Sequence, residues 1–386
     1  MSSGSEVRLG IIGLGNMGQA HAKNILAGEV PGLKLAALAD ADPARGEAFP
    51  DVPFFENASE LIASGSVEAV LIATPHYAHT KIGIEALEAG LHVLVEKPIS
   101  VHKADCQRLI AAHQRDEQVF AAMFNQRTDP KYVKLKELID SGELGRVNRI
   151  NWTVTDWFRT EQYYISGGWR ATWNGEGGGV LLNQCPHQLD LWQWLFGMPS
   201  SVRGFCDYGR FHDIEVEDDV TAYMEYSDGK KGLLITTTGE APGTNRLEIA
   251  AERGRLILEG STLVWLRNET ETSHFSKECT SSFDKPETTE ESFEFEGNGE
   301  QHVGILKNFV AAILEGAPLT APAAEGIHSV ELANSIIHSS DLKETIELPL
   351  DGAAYADALQ DKITNSTYVK PEQKASTGDQ DFSKSF

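Results

Sequence analysis

A histidine with polar neighbours near the middle of the chain is a candidate for acid–base chemistry. His187 lies within the segment GGGVLLNQCPHQLD, residues 177–190. If this segment is helical, Asn183 and Asp190 share a face with His187, because they lie four residues before it and three after it. Imidazole exchanges protons near neutral pH, so this face predicts general acid–base catalysis. A buried structural histidine is the alternative, and the polar face and the glycine run favour catalysis.

A lysine after an apolar run is the second candidate. Lys97 follows the stretch LHVLVE and precedes Pro98, which restricts the backbone beside it. Ligands bind at the carboxyl ends of the strands in open α/β sheets. A lysine there can donate a hydrogen bond to a substrate oxygen, and partial burial would lower its pKa. A lysine at the surface end of a strand is the alternative, which the adjoining proline disfavours.

The segment GLGNMG at residues 13–18 predicts a dinucleotide-binding turn. It follows a predicted strand at residues 7–12 and opens a predicted helix, which is the context that this motif requires. Gly13 permits the tight turn, Gly15 lets a pyrophosphate approach the backbone, and Gly18 lets helix and strand pack closely. The N-terminus of the helix would face the phosphate.

Asp40 ends the second predicted strand, residues 33–39, where a carboxylate would bind the adenosine ribose hydroxyls. It predicts NAD rather than NADP, because its negative charge would repel the additional phosphate of NADP. Asp42 could share this role, but an aspartate directly before Pro43 is more typical of a helix cap.

Strands and helices alternate through the first part of the chain, which predicts βαβ units and a parallel sheet. Beyond about residue 145 the pattern becomes that of antiparallel strands, with Asp228-Gly229 as a hairpin turn. A helix over about residues 180–196 interrupts these strands, and Pro186 would kink it or stand near its first turn.

The remaining segments complete the predicted organisation. Residues 270–291 are polar and predict an exposed excursion, and helical periodicity returns at residues 301–315 and 323–340. We predict an α/β protein with a Rossmann NAD-binding domain, an α+β domain for substrate binding and oligomerisation, and a loose polar tail. Their bounds are residues 1–125, 126–365 and 366–386.

Composition limits the kinds of partner. The net charge of −24 argues against nucleic acid and membrane surfaces, because proteins that track phosphates need basic patches. The four cysteines form no CxxC pair or zinc-ligand spacing, which predicts free thiols in a reducing compartment and no metal site. The chain begins without the pattern of a signal peptide and contains no apolar run long enough to span a bilayer. We therefore expect a cytoplasmic protein.

Aromatic residues mixed with Arg, Asp and Asn precede the glycine run. Such a mixture suits a polyhydroxylated ring, because aromatic side chains stack on its C–H faces and polar groups bind its hydroxyls. Trp169 and Arg170 are the preferred substrate contacts, and packing in the core or in an interface is the alternative for the aromatics. The segment comprises Asp156, Trp157, Arg159, Tyr163, Tyr164, Trp169, Arg170, Trp173 and Asn174.

Four stretches together resemble the Gfo/Idh/MocA oxidoreductases, the family of glucose–fructose oxidoreductase and the inositol dehydrogenases. They are GIIGLGNMGQAH, ATPHYAH, LEAGLHVLVEKP and GGGVLLNQCPHQLDLWQWLFG, in the order of the family between residues 9 and 197. The resemblance implies that Lys97 and His187 are catalytic, that Asp190 lies near the substrate and that the Lys97–Pro98 bond is cis. It also implies a large open sheet in the second domain that builds dimers or tetramers.

Two positions depart from the family pattern. Inositol dehydrogenase-like members carry aspartate where this chain has Asn183, so the resemblance leaves proton transfer to His187 and Lys97. Asn183→Asp restores the commoner family residue and is expected to be tolerated. The asparagine of the usual ATPN turn is His76 here, which leaves the contacts on the nicotinamide side open.

The residues and the resemblance together define three predicted sets. The cofactor contacts are Gly13, Gly15, Asn16, Met17, Gly18, Asp40, Thr74, Pro75, His76, His79, Glu96 and Lys97. The substrate contacts are Lys97, Trp169, Arg170, Asn183, His187 and Asp190. The catalytic residues are Lys97, His187 and Asn183.

These sets predict an NAD-dependent dehydrogenase that moves a hydride between nicotinamide and a carbinol or keto carbon of a sugar, glycoside or cyclitol. The expected partners are this polyhydroxylated small molecule and further copies of the chain. Two alternatives stay open: an NAD-retaining, redox-neutral glycoside hydrolase and a non-catalytic NAD-sensing regulator. The pair Lys97 and His187 disfavours the regulator, which has no use for proton transfer.

Overall fold

The computed structural model describes residues 6–371, and a parallel sheet forms the first domain. Its strands are β1 (Val7–Ile12), β2 (Leu33–Ala39), β3 (Phe54–Phe55), β4 (Ala69–Ile72), β5 (His92–Val95) and β6 (Phe120–Ala122). The helices are α1 (Asn16–Leu26), α2 (Ala58–Ala63), α3 (His76–Glu88) and α4 (Lys103–Ala111). The strand order β3-β2-β1-β4-β5-β6 reverses between β1 and β4, as in a Rossmann fold, so the predicted domain type is confirmed.

A nine-stranded sheet forms most of the second domain. Its strands are β7 (Val147–Val154), β8 (Ser201–Tyr208), β9 (Glu217–Glu225), β10 (Lys231–Thr237), β11 (Asn245–Ala251), β12 (Gly254–Glu259), β13 (Thr262–Asn268), β14 (Thr288–Glu294) and β15 (Ile346–Glu347). They lie in the order β14-β13-β12-β11-β7-β10-β9-β8-β15. Every neighbouring pair is antiparallel except β7 with β10, which confirms the predicted mostly antiparallel sheet.

Seven α-helices accompany this part of the described chain. They are α5 (Pro130–Asp140), α6 (Glu161–Ile165), α7 (Pro186–Phe196), α8 (Thr272–Glu278), α9 (Gln301–Glu315), α10 (Gly326–Leu342) and α11 (Gly352–Asn365). The predicted hairpin at Asp228-Gly229 joins β9 to β10, with Gly229 at φ 87°. Glycine adopts this left-handed conformation without the steric cost that a side chain would add.

The predicted helix over residues 180–196 is wrong in its first part, because α7 begins only at Pro186. Residues 180–185 instead form turns around Glu217. The backbone N–H of Val180 donates to the Glu217 carbonyl oxygen at 2.9 Å, and that of Leu181 donates to the Glu217 carboxylate at 3.1 Å. Proline suits the first helical position because it has no N–H to leave unpaired there.

The polar segment at residues 270–291 is exposed or partly exposed throughout, as predicted. It contains α8 and the start of β14, which pairs with β13 as the exposed edge of the nine-stranded sheet. All residues of α8 are at least partly exposed. Their polar character therefore reflects the surface position of a helix and an edge strand rather than the absence of secondary structure.

The first domain takes part of its core from late in the chain. Ile305, Phe309 and Val310 of α9 are buried in the same cluster as the parallel strands. The backbone N–H of Ala122 in β6 also donates to the carbonyl oxygen of Ala321 at 3.0 Å. The predicted domain boundary at residue 125 therefore assigns α9 to the wrong domain, because this helix packs on the first domain.

The start of the predicted loose tail is packed against the second domain. The Tyr368 hydroxyl donates to the carbonyl oxygen of Asp213 at 2.6 Å, and the Lys370 ammonium donates to that of Arg170 at 3.0 Å. Residues 372–386 lie outside the described part of the chain. Within residues 6–371, none of the helices has the length and apolarity needed to cross a bilayer.

Candidate active site

A cavity of about 770 Å³ opens where the carboxyl ends of the parallel strands face the segment between β7 and α7. Most of the predicted site residues line it, whereas Gly18 and Asp190 do not. The predicted residues that line it are Gly13, Gly15, Asn16, Met17, Asp40, Thr74, Pro75, His76, His79, Glu96, Lys97, Trp169, Arg170, Asn183 and His187.

The glycine turn has the open form that a dinucleotide requires. Gly13 has φ 96°, and a Cβ atom there would lie 2.6 Å from the carbonyl oxygen of Ala73. A Cβ atom on Gly15 would meet no atom within 4 Å, because this residue faces the cavity. Gly18 lies beneath the turn, where a Cβ atom would come within 1.8 Å of the Gly13 carbonyl oxygen. No side chain caps α1, so its first N–H groups fit a pyrophosphate.

Asp40 lies directly after β2 and is fixed by the backbone. Its carboxylate accepts hydrogen bonds from the N–H of Leu14 at 2.6 Å and of Asp42 at 2.9 Å. The guanidinium of Arg45 donates to the same carboxylate at 3.2 Å and also lines the cavity. Arg45 was not among the predicted site residues; it lies in a short 3₁₀ helix that Asp42 caps as predicted. A carboxylate and a guanidinium thus lie side by side at the predicted adenosine ribose position.

Two histidines connect the turn after β4 to other parts of the site. The Nδ1 atom of His76 lies 3.1 Å from the carbonyl oxygen of Glu176, and burial lowers the pKa of His76 well below its ordinary value. The ring is therefore neutral and donates from Nδ1. The ring nitrogens of His79 face the carbonyl oxygens of Pro98 and Thr74 at 2.8 and 2.7 Å. His79 therefore holds two cofactor-side turns together.

Lys97 lies at the junction of the two halves of the cavity. The Lys97–Pro98 bond that follows it is cis, as the resemblance implies. Its ammonium group donates to the backbone carbonyl oxygen of Asn183 at 3.0 Å. Burial lowers the pKa of Lys97, and the positive charges of Arg170 and Arg159 lower it further. A partly buried cation held by a carbonyl oxygen is well suited to bind a substrate oxygen.

Glu96 forms a buried pair with a histidine that was not among the predicted site residues. The Nε2 atom of His21 lies 2.7 Å from the Glu96 carboxylate. Burial raises the pKa of Glu96, but the hydrogen bond and charge of His21 outweigh this effect and lower the pKa to about 2. His302, at the start of α9, lies with its ring centroid 5.5 Å from that of His21 and lines the cavity. Nothing in its local sequence indicates this position.

His187 is the second residue of α7 and is only 5% exposed. Its ring packs edge-on against Phe124, with 6.3 Å between the ring centroids. Burial lowers the pKa of His187 well below its ordinary value, and the positive charge of Lys97 acts in the same direction. His187 is therefore neutral at neutral pH, which is the form in which an imidazole accepts a proton.

The predicted shared face of Asn183, His187 and Asp190 is wrong, because only His187 and Asp190 belong to α7. Asn183 lies in the preceding turn, and its side-chain amide donates to the carboxylate of Glu176. Asp190 points away from the cavity and forms a bidentate ion pair with Arg127, at 2.6 and 2.8 Å. Both side chains of this pair are 1% exposed. The position of Asp190 does not support its prediction as a substrate contact.

The aromatic segment divides between the cavity and the core. Trp157, Tyr163 and Trp169 line the cavity, while Tyr164 and Trp173 are buried in the second-domain core. The Arg170 guanidinium lies 4.6 Å from the ring centroid of Tyr163 and 4.7 Å from that of Trp169. Arg159, Tyr163 and Gln184 also line the cavity, although they were not among the predicted contacts.

Comparison with known proteins agrees with this architecture. The profile described as "Oxidoreductase family, NAD-binding Rossmann fold" (GFO_IDH_MocA) matches residues 7–124, and that of the GFO/IDH/MocA C-terminal domain matches residues 132–257. Inositol 2-dehydrogenase of Rhizobium meliloti is 24% identical over 355 residues, which cover 89% of this chain and 99% of that protein. Inositol 2-dehydrogenase 1 of Saccharopolyspora erythraea is 37% identical over 146 residues, but these cover only 36% of this chain and 43% of that protein.

A solved structure of similar fold is the WlbA dehydrogenase of Bordetella pertussis in complex with NADH and UDP-GlcNAcA. It superimposes with a TM-score of 0.75 at 24% identity and covers 90% of this chain and 99% of that one. At this identity the likeness shows the fold, whereas the two profiles show the family. The chain is an NAD-dependent oxidoreductase of the Gfo/Idh/MocA family.

Proposed function

We propose that the protein oxidises a carbinol carbon of a sugar, glycoside or cyclitol, or reduces the corresponding ketone, with His187 and Lys97 as the catalytic residues. The observation that carries this proposal is a neutral histidine and a partly buried lysine in one cavity with a dinucleotide-binding turn. The inositol 2-dehydrogenases among the relatives support the class of substrate.

The two residues have complementary tasks. During oxidation, neutral His187 accepts the proton of the substrate hydroxyl, and the ammonium group of Lys97 donates a hydrogen bond to the same oxygen. This donation stabilises the negative charge that develops on the oxygen as the proton leaves. During reduction, the same residues return the proton to the carbonyl oxygen.

The cofactor fits the first-domain end of the cavity. Gly13, Gly15 and the N-terminus of α1 would hold the pyrophosphate, and Asp40 would hold the adenosine ribose. The buried hydroxyl of Thr74 has no hydrogen-bond partner within residues 6–371, as expected for a group that contacts a bound ligand. When bound, NAD supplies the acceptor for the hydride of the carbinol carbon.

The experiment that tests this function is a search for NADH formation by absorbance. The purified protein is incubated with NAD and a panel of inositols, free hexoses and methyl glycosides. We expect net NADH with at least one of them. Cleavage of a glycoside without net NADH would instead support the redox-neutral hydrolase, and NAD binding without turnover of any compound would support the regulator. Either result would contradict the proposal.

Asp40→Ala is expected to shift the cofactor preference toward NADP. The change removes the repulsive carboxylate and one of the two carboxylates that hold Arg45, which keeps Asp42 at 3.6 Å and can then also pair with the additional phosphate. We expect NADP affinity relative to NAD to rise about tenfold or more, the size of one charge-assisted hydrogen bond. Fluorescence titration with both cofactors measures the ratio. Asp42→Ala, which removes a neighbouring carboxylate, is the control. Tighter binding of NADP than of NAD to the unaltered protein would refute the role of Asp40 in selecting NAD.

The second domain is proposed to build a homo-oligomer, a dimer or a tetramer. Residues along β9 and β10 alternate between buried and partly exposed positions, so one face of the sheet is accessible. Phe205 on β8 is 56% exposed. Light scattering after size-exclusion chromatography tests this, and a monomer would contradict it. Cytoplasmic location stays a prediction, supported by the four unpaired cysteines.

A further inference from the structure

Glu176 carries a buried carboxylate that contacts residues on the substrate side of the cavity. Glu176 is 1% exposed, and its carboxylate accepts hydrogen bonds from the side-chain amide of Asn183 and from the backbone N–H of Ala171, the latter at 2.8 Å. Its carbonyl oxygen accepts from His76 at 3.1 Å. Ala171 directly follows Arg170 and has φ 65°, an uncommon conformation for a residue with a side chain. Glu176 therefore contacts three separate segments of the cavity wall.

The carboxylate determines which end of the Asn183 amide faces the cavity. An ionised carboxylate can only accept hydrogen bonds, so the NH₂ group must point toward Glu176 and the Oδ1 atom must point away from it. Asn183 lines the cavity, and no group within residues 6–371 hydrogen-bonds its Oδ1 atom. The backbone carbonyl oxygen of the same residue holds the ammonium group of Lys97 at 3.0 Å.

We propose that Glu176 is a positioning residue that keeps the Oδ1 atom of Asn183 turned into the cavity, where it accepts a hydrogen bond from a substrate hydroxyl. The role of Asn183 toward the substrate is then that of a neutral acceptor. This inference rests on the proposed function for its substrate, but the orientation of the amide does not depend on turnover.

Protonation of Glu176 would remove the constraint. Burial raises the pKa of Glu176 to about 7, although the charge of Arg170 and the hydrogen bonds from Ala171 and Asn183 lower it. The other charged or titratable groups around it are Lys97, Lys370, Glu217, His76 and Tyr164. A protonated carboxyl can donate to the Oδ1 atom of a reversed amide. Asn183 should therefore accept the hydrogen bond from a substrate hydroxyl more strongly as the pH rises through about 7, because Glu176 is then ionised.

The first test observes the amide directly. In protein labelled with ¹⁵N-asparagine, the side-chain signal of Asn183 is identified by its loss in Asn183→Asp. We expect its chemical shift to change with pH with a midpoint near 7 in the unaltered protein and to be constant in Glu176→Gln. Glu217→Gln is the matched control, because Glu217 is buried with a pKa of about 7 but bonds Leu181 rather than Asn183. A constant signal in the unaltered protein, or an unchanged titration in Glu176→Gln, would overturn the proposal.

The second test exchanges the carboxylate of Glu176 and the amide of Asn183 between the two positions. In Glu176→Gln, the side-chain oxygen of the new amide must accept the hydrogen bond from the backbone N–H of Ala171. Its NH₂ group then faces Asn183 and donates to the Oδ1 atom of that residue. The amide of Asn183 is thereby reversed, so its NH₂ group points into the cavity. We expect kcat/KM to fall about tenfold or more through KM, the cost of one mismatched hydrogen bond, while NAD affinity is unchanged. In Glu176→Gln/Asn183→Asp, every hydrogen bond can re-form and an acceptor faces the cavity again.

The double variant should therefore recover most of the lost kcat/KM. Asn183→Asp alone places two carboxylates in contact, so one of them must hold a proton. Its activity should therefore fall as the pH rises, so the tolerance expected of this change from the family pattern should hold only at low pH. Equal activity of Glu176→Gln and unaltered protein, or a double variant no better than Glu176→Gln, would refute the inference. If the unaltered protein turns over no polyol, the proposed function fails, and the amide titration still decides the orientation.

Discussion

Replacing His187 by alanine is expected to lower kcat for alcohol oxidation by about 10²–10⁴-fold, the usual contribution of a general base. His187 is buried and neutral and lies in the cavity with Lys97. NAD affinity should be nearly unchanged, because the residue lies on the second-domain side of the cavity. Steady-state kinetics and a cofactor titration measure the two effects. Turnover close to that of the unaltered protein would mean that the proton leaves by another route.

Two further measurements sharpen the test of His187. Lys97→Ala should lose a comparable amount, and the double variant should lose less than the sum because both residues act on one oxygen. The rate should fall at low pH as His187 becomes protonated, below its ordinary pKa of 6.5. It should fall again at high pH as Lys97 loses its proton, below its ordinary pKa of 10.5. His113 is a histidine outside the cavity, so His113→Ala is the matched control. This variant should keep both the acidic and the basic limb of the pH–rate profile.

Asp190→Ala is expected to lower the free energy of unfolding by about 3–5 kcal/mol, the usual cost of removing one partner of a buried ion pair. Arg127 would keep its contacts with the carboxylate of Glu325 and the carbonyl oxygen of Thr320 but would lose both hydrogen bonds to Asp190. Urea denaturation followed by circular dichroism measures the change.

A paired substitution separates this structural role from substrate binding. Arg127→Met/Asp190→Leu replaces both charges by apolar groups and should recover much of the stability lost in Asp190→Ala. The more exposed partner Glu325 is the control, and Glu325→Gln should cost far less. Normal stability of Asp190→Ala together with a large rise in KM would instead restore Asp190 to the substrate contacts.

Local patterns were sufficient to predict the elements around the cofactor. The strand bounds at residues 7–12 and 33–39 and the helix at residues 301–315 match the structure, because each has an uninterrupted pattern of aliphatic residues. The glycine turn, Asp40 and Lys97 follow strand ends, and the carboxyl ends of parallel strands meet at one edge of the sheet. Their arrival in one cavity therefore follows from the order of elements along the chain.

Contacts between distant segments account for what the sequence did not predict. The turns at residues 180–185 are held by Glu217, which lies more than thirty residues away and whose carboxylate bonds Leu181. The same applies to Asp190, whose partner Arg127 precedes it by 63 residues. Helical periodicity describes neighbours three or four positions apart, so it cannot show that a side chain turns toward such a partner. Glu176 was missed for a different reason: its carboxylate bonds Ala171 and Asn183, five and seven residues away, in a stretch of turns that has no helical or strand periodicity.

The packing of α9 on the parallel sheet bears on the order in which the protein can form during synthesis. The ribosome delivers β1 to β6 first, but their core stays incomplete until Phe309 and its neighbours have emerged. His302, which lines the cavity, arrives equally late. Domains generally fold as units during translation, beginning with the N-terminal one. Here the core of the nascent first domain cannot be completed, and its apolar surface stays exposed, until more than three quarters of the chain has been synthesised.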